Sequence, residues 1–329
     1  MTEPALTFII PLVRINDYVR ETVWHLQHLR EPNWEAIIVT NDLEPTEWGN
    51  DNRIRVMESG AVGPAFKRDL AAKVSRGSIL TFIDDDSYPN HLFIDQCLEA
   101  FNQNYVSAVG GPALTPDSDT FWQHVSGAVF MSRLTGGNPS RYRSVGKLRE
   151  IDDWPSVNLS IRRDDFIKVG GFDTEYWPGE DTFLCWKLKQ RGMKIVYMPE
   201  LVVWHHRREG FARHLRQVGA YGLHRGYFAR HYPSTSCRLR YFLPSLLLLA
   251  LLISPILLFV SRTSAIFALC AWIVYCLALV VGIIEVSRLT TFRIGFCSIP
   301  YVVGTHFCYG ATFLRGLFKV GSLRSRLRK

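Results

Sequence analysis

The sequence predicts an α/β domain with a mostly parallel sheet, followed by a C-terminal α-helical transmembrane region. Three observations carry that prediction. Short apolar runs alternate with helical patterns through the first two hundred residues, as strands joined by crossover helices do. Charge also changes sign along the chain: residues 1–200 hold 21 Lys and Arg against 28 Asp and Glu, a net −7, whereas 201–329 hold 17 against 2, a net +15. Finally, the uncharged stretches 241–261, 263–284 and 294–314 lie in the basic part, each long enough to cross a hydrocarbon core about 30 Å thick. Positive charge segregated beside apolar segments points to a membrane surface and not to a nucleic-acid partner.

In chain order, strands are predicted at 6–12, 36–40, 53–57, 79–83 and 106–110, with helices at 18–29, 65–76 and 92–102. The apolar core near the start is short and patterns as a first strand, not as a signal peptide. Ligands of open parallel sheets collect beyond the carboxyl ends of the strands, and three such ends are distinctive: Pro11, Asp42 and Asp84-Asp85-Asp86. Adjacent carboxylates repel one another unless a cation neutralises them. Their oxygens suit Mg²⁺ or Mn²⁺, which commonly arrive on a substrate's phosphates. Asp42 also reads as a turn-former. Lys67 and Arg68 open a helix after Gly60-Ala61-Val62-Gly63-Pro64, where backbone N–H groups favour anions; the plainer reading of both is a solvated basic residue.

Between 111 and 150 the pattern loosens into a Gly, Pro and Arg-containing stretch, read as a long loop facing an acceptor. Order resumes at Pro155-Ser156-Val157-Asn158-Leu159, then Val169-Gly170-Gly171-Phe172-Asp173, then Trp177-Pro178-Gly179-Glu180-Asp181 ahead of a helix at 183–190. Glu180 and Asp181 read as helix-capping acids or, beside the aromatic wall of Trp177, as a general base. Residues 197–206 read as a strand delivering His205 and His206 to the ligand edge. Neighbours on a strand point to opposite faces, so only one of the two can join a site.

In this order, the strand ending in Pro11, Asp42, Lys67-Arg68, the Asp84–Asp86 triplet, Gly170-Gly171-Phe172-Asp173 and Gly179-Glu180-Asp181 resemble family 2 glycosyltransferases of the GT-A fold. The ordered set is far more specific than any one motif. The resemblance implies an inverting, metal-dependent enzyme using a nucleotide-sugar, a UDP-sugar first, with Mg²⁺ or Mn²⁺ as cofactor. It assigns Asp42 to the nucleoside, Lys67 and Arg68 to the base or diphosphate, and Pro11 and Asp85 to the donor pocket. Asp84 would face the ribose or sugar and the metal, Asp86 would bind the metal, and His205 would complete its shell. Asp181 takes the place of the catalytic base, with Glu180 orienting it, and Trp177, Asn158, Arg216 and Gln217 fall on the acceptor side. The stretch around Arg216-Gln217 lacks the Arg-Trp pair of the family's Gln-x-x-Arg-Trp motif, which leaves processive synthesis without support.

The chain thus divides into a catalytic domain at 1–206, a basic interfacial segment at 207–240, a transmembrane region at 241–318 and a basic tail at 319–329. Eight arginines between 207 and 240, opposed only by Glu209, orient the catalytic domain to the cytoplasmic side of the cell (inner) membrane. Gly295, Pro300, Gly304, His306 and Gly310 interrupt the third stretch, which reads as a span, a re-entrant segment or an interfacial helix. Two spans return the tail Arg324-Ser325-Arg326-Leu327-Arg328-Lys329 to the cytoplasm; three place it outside. The seven scattered cysteines read as free thiols. A base favours a hydroxyl acceptor on a lipid-linked or cell-envelope saccharide over a polyprenyl phosphate, which is already anionic. Metal-dependent phosphoryl transfer and a membrane-anchored binding protein are the remaining alternatives, and a homo-oligomer stays open.

Overall fold

In the computed structural model, which describes residues 3–323, β1 (Leu6–Pro11) and β2 (Trp34–Thr40) are buried at every position, as strands covered on both faces are. Around them the chain runs α1 (Asp17–Gln27), β3 (Ile54–Glu58), α2 (Pro64–Val74), β4 (Ile79–Phe82), β5 (Ser87–Pro89), α3 (Phe93–Phe101), β6 (Val106–Gly110) and β7 (Ala113–Leu114). There follow α4 (Phe121–Ala128), β8 (Arg149–Ile151), β9 (Leu159–Arg162), α5 (Arg163–Lys168), α6 (Glu180–Gln190), β10 (Lys194–Tyr197) and β11 (Val203–His205). After these come five helices: α7 (Phe211–His231), α8 (Pro233–Ser236), α9 (Leu239–Val260), α10 (Arg262–Leu289) and α11 (Phe292–Leu317).

The chain forms two compact units, the first built from residues 3–116 and 143–206. Its eight-stranded sheet has the order β3-β2-β1-β4-β9-β6-β10-β8. Pairs β1/β2, β1/β4, β2/β3 and β6/β10 are parallel, while β9 runs antiparallel to β4 and β6, as β8 does to β10. Alternation along β1 and β2 splits the core. Phe8, Ile10 and Ile38 pack under Val19, Val23 and Phe93 of α1 and α3, whereas Ile9, Ile37 and Val39 share the opposite face with Ala71, Phe166 and Leu184 of α2, α5 and α6. Each large side chain so buried contributes about 1.5–3 kcal/mol. A second, three-stranded sheet, β5-β11-β7, branches off just after the acidic triplet.

At the amino ends of the parallel strands lies a buried ionic knot. Glu35 is 0% exposed and accepts from Thr7 Oγ1 (2.8 Å), the Arg76 backbone N–H (2.6 Å), Arg76 Nε (2.8 Å) and Arg55 Nη2 (3.1 Å). Burial alone would raise this carboxyl's pKa; the Arg76 N–H, Thr7 and both guanidiniums reverse that and hold it below its ordinary 4.5.

The second unit joins residues 117–142 to 207–323. The stretch expected to be a long loop therefore holds β7, α4 and β8, and its middle part packs with the C-terminal helices. Local chemistry explains α4: Thr120 and Gln123 form a reciprocal capping box, a short signal hidden among Gly and Pro. His214 of α7 is buried between Ser126 Oγ (2.9 Å) and Thr305 Oγ1 (2.8 Å). Burial lowers its pKa to about 4, so near neutrality it acts as an uncharged polar staple joining α4, α7 and α11.

Helices α9 and α10 are long and apolar enough to cross a membrane, with mean hydropathies of 2.6 and 2.7. Helix α11 is different in kind. A Cβ at Gly222 of α7 would lie 2.7 Å from the Tyr309 carbonyl, and one at Gly226 would collide with that of Phe313. Small residues thus let α11 lie directly on an arginine-bearing helix. All seven cysteines are free. Of the basic tail, residues 324–329 lie outside the described residues.

Candidate active site

The site gathers at the carboxyl ends of β1, β2 and β4 in the first unit. Directly after the triplet, β5 pairs antiparallel with β11, setting Ser87 opposite His205. That register, tied by the His206 N–H to the Asp86 carbonyl (3.0 Å), brings a histidine from over a hundred residues away to the acidic cluster. His205 Nε2 lies 3.2 Å from Asp86 Oδ1, and one ligand atom each of Asp84, Asp86 and His205 lies within 4.8 Å of the others. Two carboxylates and an imidazole at that spacing fit one divalent cation. The strand's alternation separates the two histidines, because His206 Nε2 turns to Glu21 (2.9 Å) and its ring lies 4.7 Å from that of Tyr18.

Arg68 joins the two acidic constellations. Its Nη2 donates to Asp84 Oδ1 (2.7 Å) and its Nη1 to Glu180 Oε1 (3.1 Å), while its Cζ lies 5.4 Å from the Phe172 ring centroid. The Gly170-Gly171-Phe172-Asp173 motif acquires a reason here. Its glycines adopt φ of +76° and +63°, which only glycine takes freely, and the turn donates the Phe172 and Asp173 N–H groups to the Asp69 carboxylate at 2.7 and 2.8 Å. Asp69 escaped the sequence reading; its only signal was an acid beside Lys67-Arg68 on a helix.

Lys67 is buried at 2% exposure, contrary to the solvated reading. Its Nζ donates to the Leu12 carbonyl and to Asn41 Oδ1 (2.6 Å), so it pins the ends of β1 and β2 beside Pro11. Burial lowers its pKa, with Asp85 and Asp42 opposing the shift. Asp42 stands exposed after β2. Asp85 accepts from Asn16 Nδ2 (2.6 Å), the residue that caps α1.

Glu180 opens α6 and is buried at 6% exposure; its Oε2 has no hydrogen-bond partner among the described residues. Burial, reinforced by Asp181 and opposed by Arg68, pushes its carboxyl up to about 7. Asp181 is partly exposed and Trp177 is exposed. Asn158 falls elsewhere: it is 0% exposed and its amide donates to the Pro112 and Leu201 carbonyls at 3.1 and 2.7 Å, the work of a frame residue. Arg216 and Gln217 lie on α7 in the second unit, where Gln217 donates to the Tyr221 hydroxyl (2.9 Å).

Comparisons with known proteins bear on the family and the fold. The family described as glycosyl transferase family group 2 matches residues 79–284. The pre-mycofactocin glycosyltransferase of Mycobacterium tuberculosis is 24% identical over 174 residues, covering 49% of this chain and 33% of the relative. The glucosyl-dolichyl phosphate glucuronosyltransferase of Haloferax volcanii is 22% identical over 152 residues, covering 44% and 47%. The matched segments therefore span about a third and about half of those relatives' own lengths. Among solved structures, the mannosyltransferase of Pyrobaculum calidifontis, in complex with GDP-mannose and Mn²⁺, superposes with a TM-score of 0.55 at 13% identity. It covers 96% of this chain and 88% of its own, a likeness of fold.

Proposed function

The chain belongs to glycosyl transferase family group 2, and on that premise we propose that it moves a sugar from a nucleotide-diphosphate sugar to a hydroxyl of a lipid-linked or cell-envelope saccharide. The observation that carries this reading is the convergence of Asp84, Asp86 and His205 to within 4.8 Å in the same unit as the Arg68-tethered Glu180-Asp181 pair. A divalent cation held by those three residues would supply neutralisation of the charge that builds on the leaving diphosphate. Its imidazole ligand makes Mn²⁺ the better fit, since Mg²⁺ favours an all-oxygen shell.

Asp181 takes the proton from the acceptor hydroxyl as that oxygen attacks the anomeric carbon from the face opposite the diphosphate, so configuration inverts. Glu180, held by Arg68, fixes the start of α6 and thereby the position of Asp181. Asp42 takes the nucleoside, Lys67 stiffens the floor of the donor pocket, and Trp177 offers an aromatic face to the acceptor sugar. Helices α9 and α10 form a membrane hairpin, with the arginines of 207–240 on the cytoplasmic side.

A polyprenyl phosphate acceptor is the second reading. The Haloferax relative's name, which specifies a saccharide already on dolichyl phosphate, favours the hydroxyl instead. Turnover of candidate nucleotide-sugars, UDP-sugars first, with Mn²⁺ and with Mg²⁺ tests the proposal. Metal-dependent turnover is expected, and failure to bind or turn over any nucleotide-sugar would sink it.

A further inference from the structure

Helix α11 shares one course with α7. A Cβ at Gly304 would lie 3.0 Å from both Phe211 and Leu215, and farther along Gly222 faces the Tyr309 carbonyl and Gly226 that of Phe313. Numbering rises together in the two helices, so they run parallel over 211–226 and 304–313. Small residues permit that close approach, and His214 Nε2 lies 2.8 Å from Thr305 Oγ1. Whatever depth α11 takes in a membrane, α7 takes with it.

That coupling decides between the readings of the stretch 294–314. Were it a span, its midpoint Gly304 would sit at the bilayer centre, and the start of α7 with it. Arg213 is exposed there, and Arg207, Arg208 and Glu209 lead into the helix. Glu209 also accepts from Thr120 Oγ1 (3.0 Å), which would carry the approach to α4 to the same depth. Charged side chains and irregular backbone are costly in hydrocarbon unless protein or water surrounds them, and Arg213, Arg216 and Arg230 of α7 are all exposed.

The contacts of α11 with the apolar helices agree. Ser245 Oγ donates to the Gly310 carbonyl (2.9 Å), and the Phe242 ring lies 4.8 Å from that of Phe313. On α10, Tyr275 Oη lies 3.3 Å from His306 Nδ1, and a Cβ at Gly295 would collide with Ser287. Helix α11 thus packs on the half of the hairpin where α9 begins and α10 ends. Beside it, Trp122 of α4 stacks on Tyr301 at 6.4 Å, Phe211 meets the same ring edge-on at 5.1 Å, and Arg293 Cζ lies 4.6 Å over Phe121. Trp122, Phe211, Phe292 and Phe296 are exposed. Aromatic rings among arginines, at the ends of apolar helices, suit the headgroup layer.

We infer that α7 and α11 form a parallel pair lying in the headgroup layer, that their partner there is an anionic lipid surface, and that α11 is not a third span. The chain then leaves α11 on the side from which it entered α9. Arginines meet lipid phosphates, and the aromatic edge meets the upper acyl region. This inference rests on the membrane-hairpin reading above.

The test is the sidedness of epitope tags on the full chain in sealed vesicles, read with an antibody that does not cross the membrane. Tags before Met1 and after Lys329 are expected on one side, and a tag between Val260 and Ser261 on the other. Terminal tags on opposite sides would overturn the inference. All three on one side would strike the hairpin reading and still bear out an uncrossed α11. The lipid partner has its own readout. Adding phosphatidylglycerol to phosphatidylcholine nanodiscs should raise the unfolding temperature. Arg213→Gln/Arg230→Gln, which removes two of the three exposed arginines of α7, should lose roughly half or more of that rise. No rise, or a rise the variant keeps in full, would overturn the lipid surface as the partner.

Discussion

The two ends of the parallel sheet both bury ionic clusters, and they are built in opposite proportion. At the amino end one carboxylate, Glu35, faces two guanidiniums, a hydroxyl and a backbone N–H. At the carboxyl end five carboxylates, Asp84, Asp85, Asp86, Glu180 and Asp181, share one strand-to-loop exit and one helix start. There Arg68 divides its bonds between two of them, and Lys67 is spent on Leu12 and Asn41. The first cluster is closed and serves the fold. The second gathers more carboxylates than the two cations named here, an imbalance that the divalent cation of the proposed site would offset.

Substitutions should separate the two ends. The largest effect is expected for Asp181→Asn, which should lower transfer by about 10²–10⁴-fold while donor affinity is kept; near-normal transfer in a radiolabelled-sugar assay would remove Asp181 from the role of base. Glu35→Ala should cost about 1–3 kcal/mol by removing the acceptor of the Thr7 hydroxyl and the Arg76 backbone N–H along with two partly exposed guanidinium pairings, read by denaturant unfolding, with donor affinity per folded molecule retained. The opposite pattern is expected of Asp86→Ala, namely donor binding with Mn²⁺ weakened roughly tenfold or more and an unfolding temperature held or raised as repulsion is relieved. Equal loss of stability at both ends would erase the distinction.

Acid should act first at the closed end. Because the folded pKa of Glu35 lies below its ordinary 4.5, its stabilising contribution is fully present above that value. It is lost as pH falls through the folded one. Glu35→Gln should therefore flatten the acid limb of the stability profile, and an unaltered limb would contradict the assignment. The smallest effect belongs to Asp85→Asn: an amide oxygen still accepts from Asn16, so stability should change by less than about 1 kcal/mol and calorimetric donor affinity by less than about threefold.

Legibility differed by region for identifiable reasons. The strands 6–12, 36–40 and 79–83 were readable because a doubly covered strand is a continuous apolar run, and the acidic triplet because three adjacent carboxylates have few structural uses. The stretch 111–150 was misread, since the Thr120–Gln123 capping box is a two-residue signal and the partners of α4 lie beyond residue 207. Asn158 looked available because it is polar beside a strand. Its burial follows from the Pro112 and Leu201 carbonyls it holds, which no local pattern discloses.

Taken alone, the sequence determined the alternating α/β domain, the basic junction, the apolar helices and the identity of the chemically capable residues, because periodicity, hydropathy and charge are local quantities. Only the tertiary structure decided which of those residues meet. Register between β5 and β11 chose His205 over His206, Arg68 proved to be the link between acids 96 positions apart in the sequence, and close glycine packing set α11 against α7. Such pairings depend on contacts between segments far apart in the chain, and no single window of sequence contains both partners.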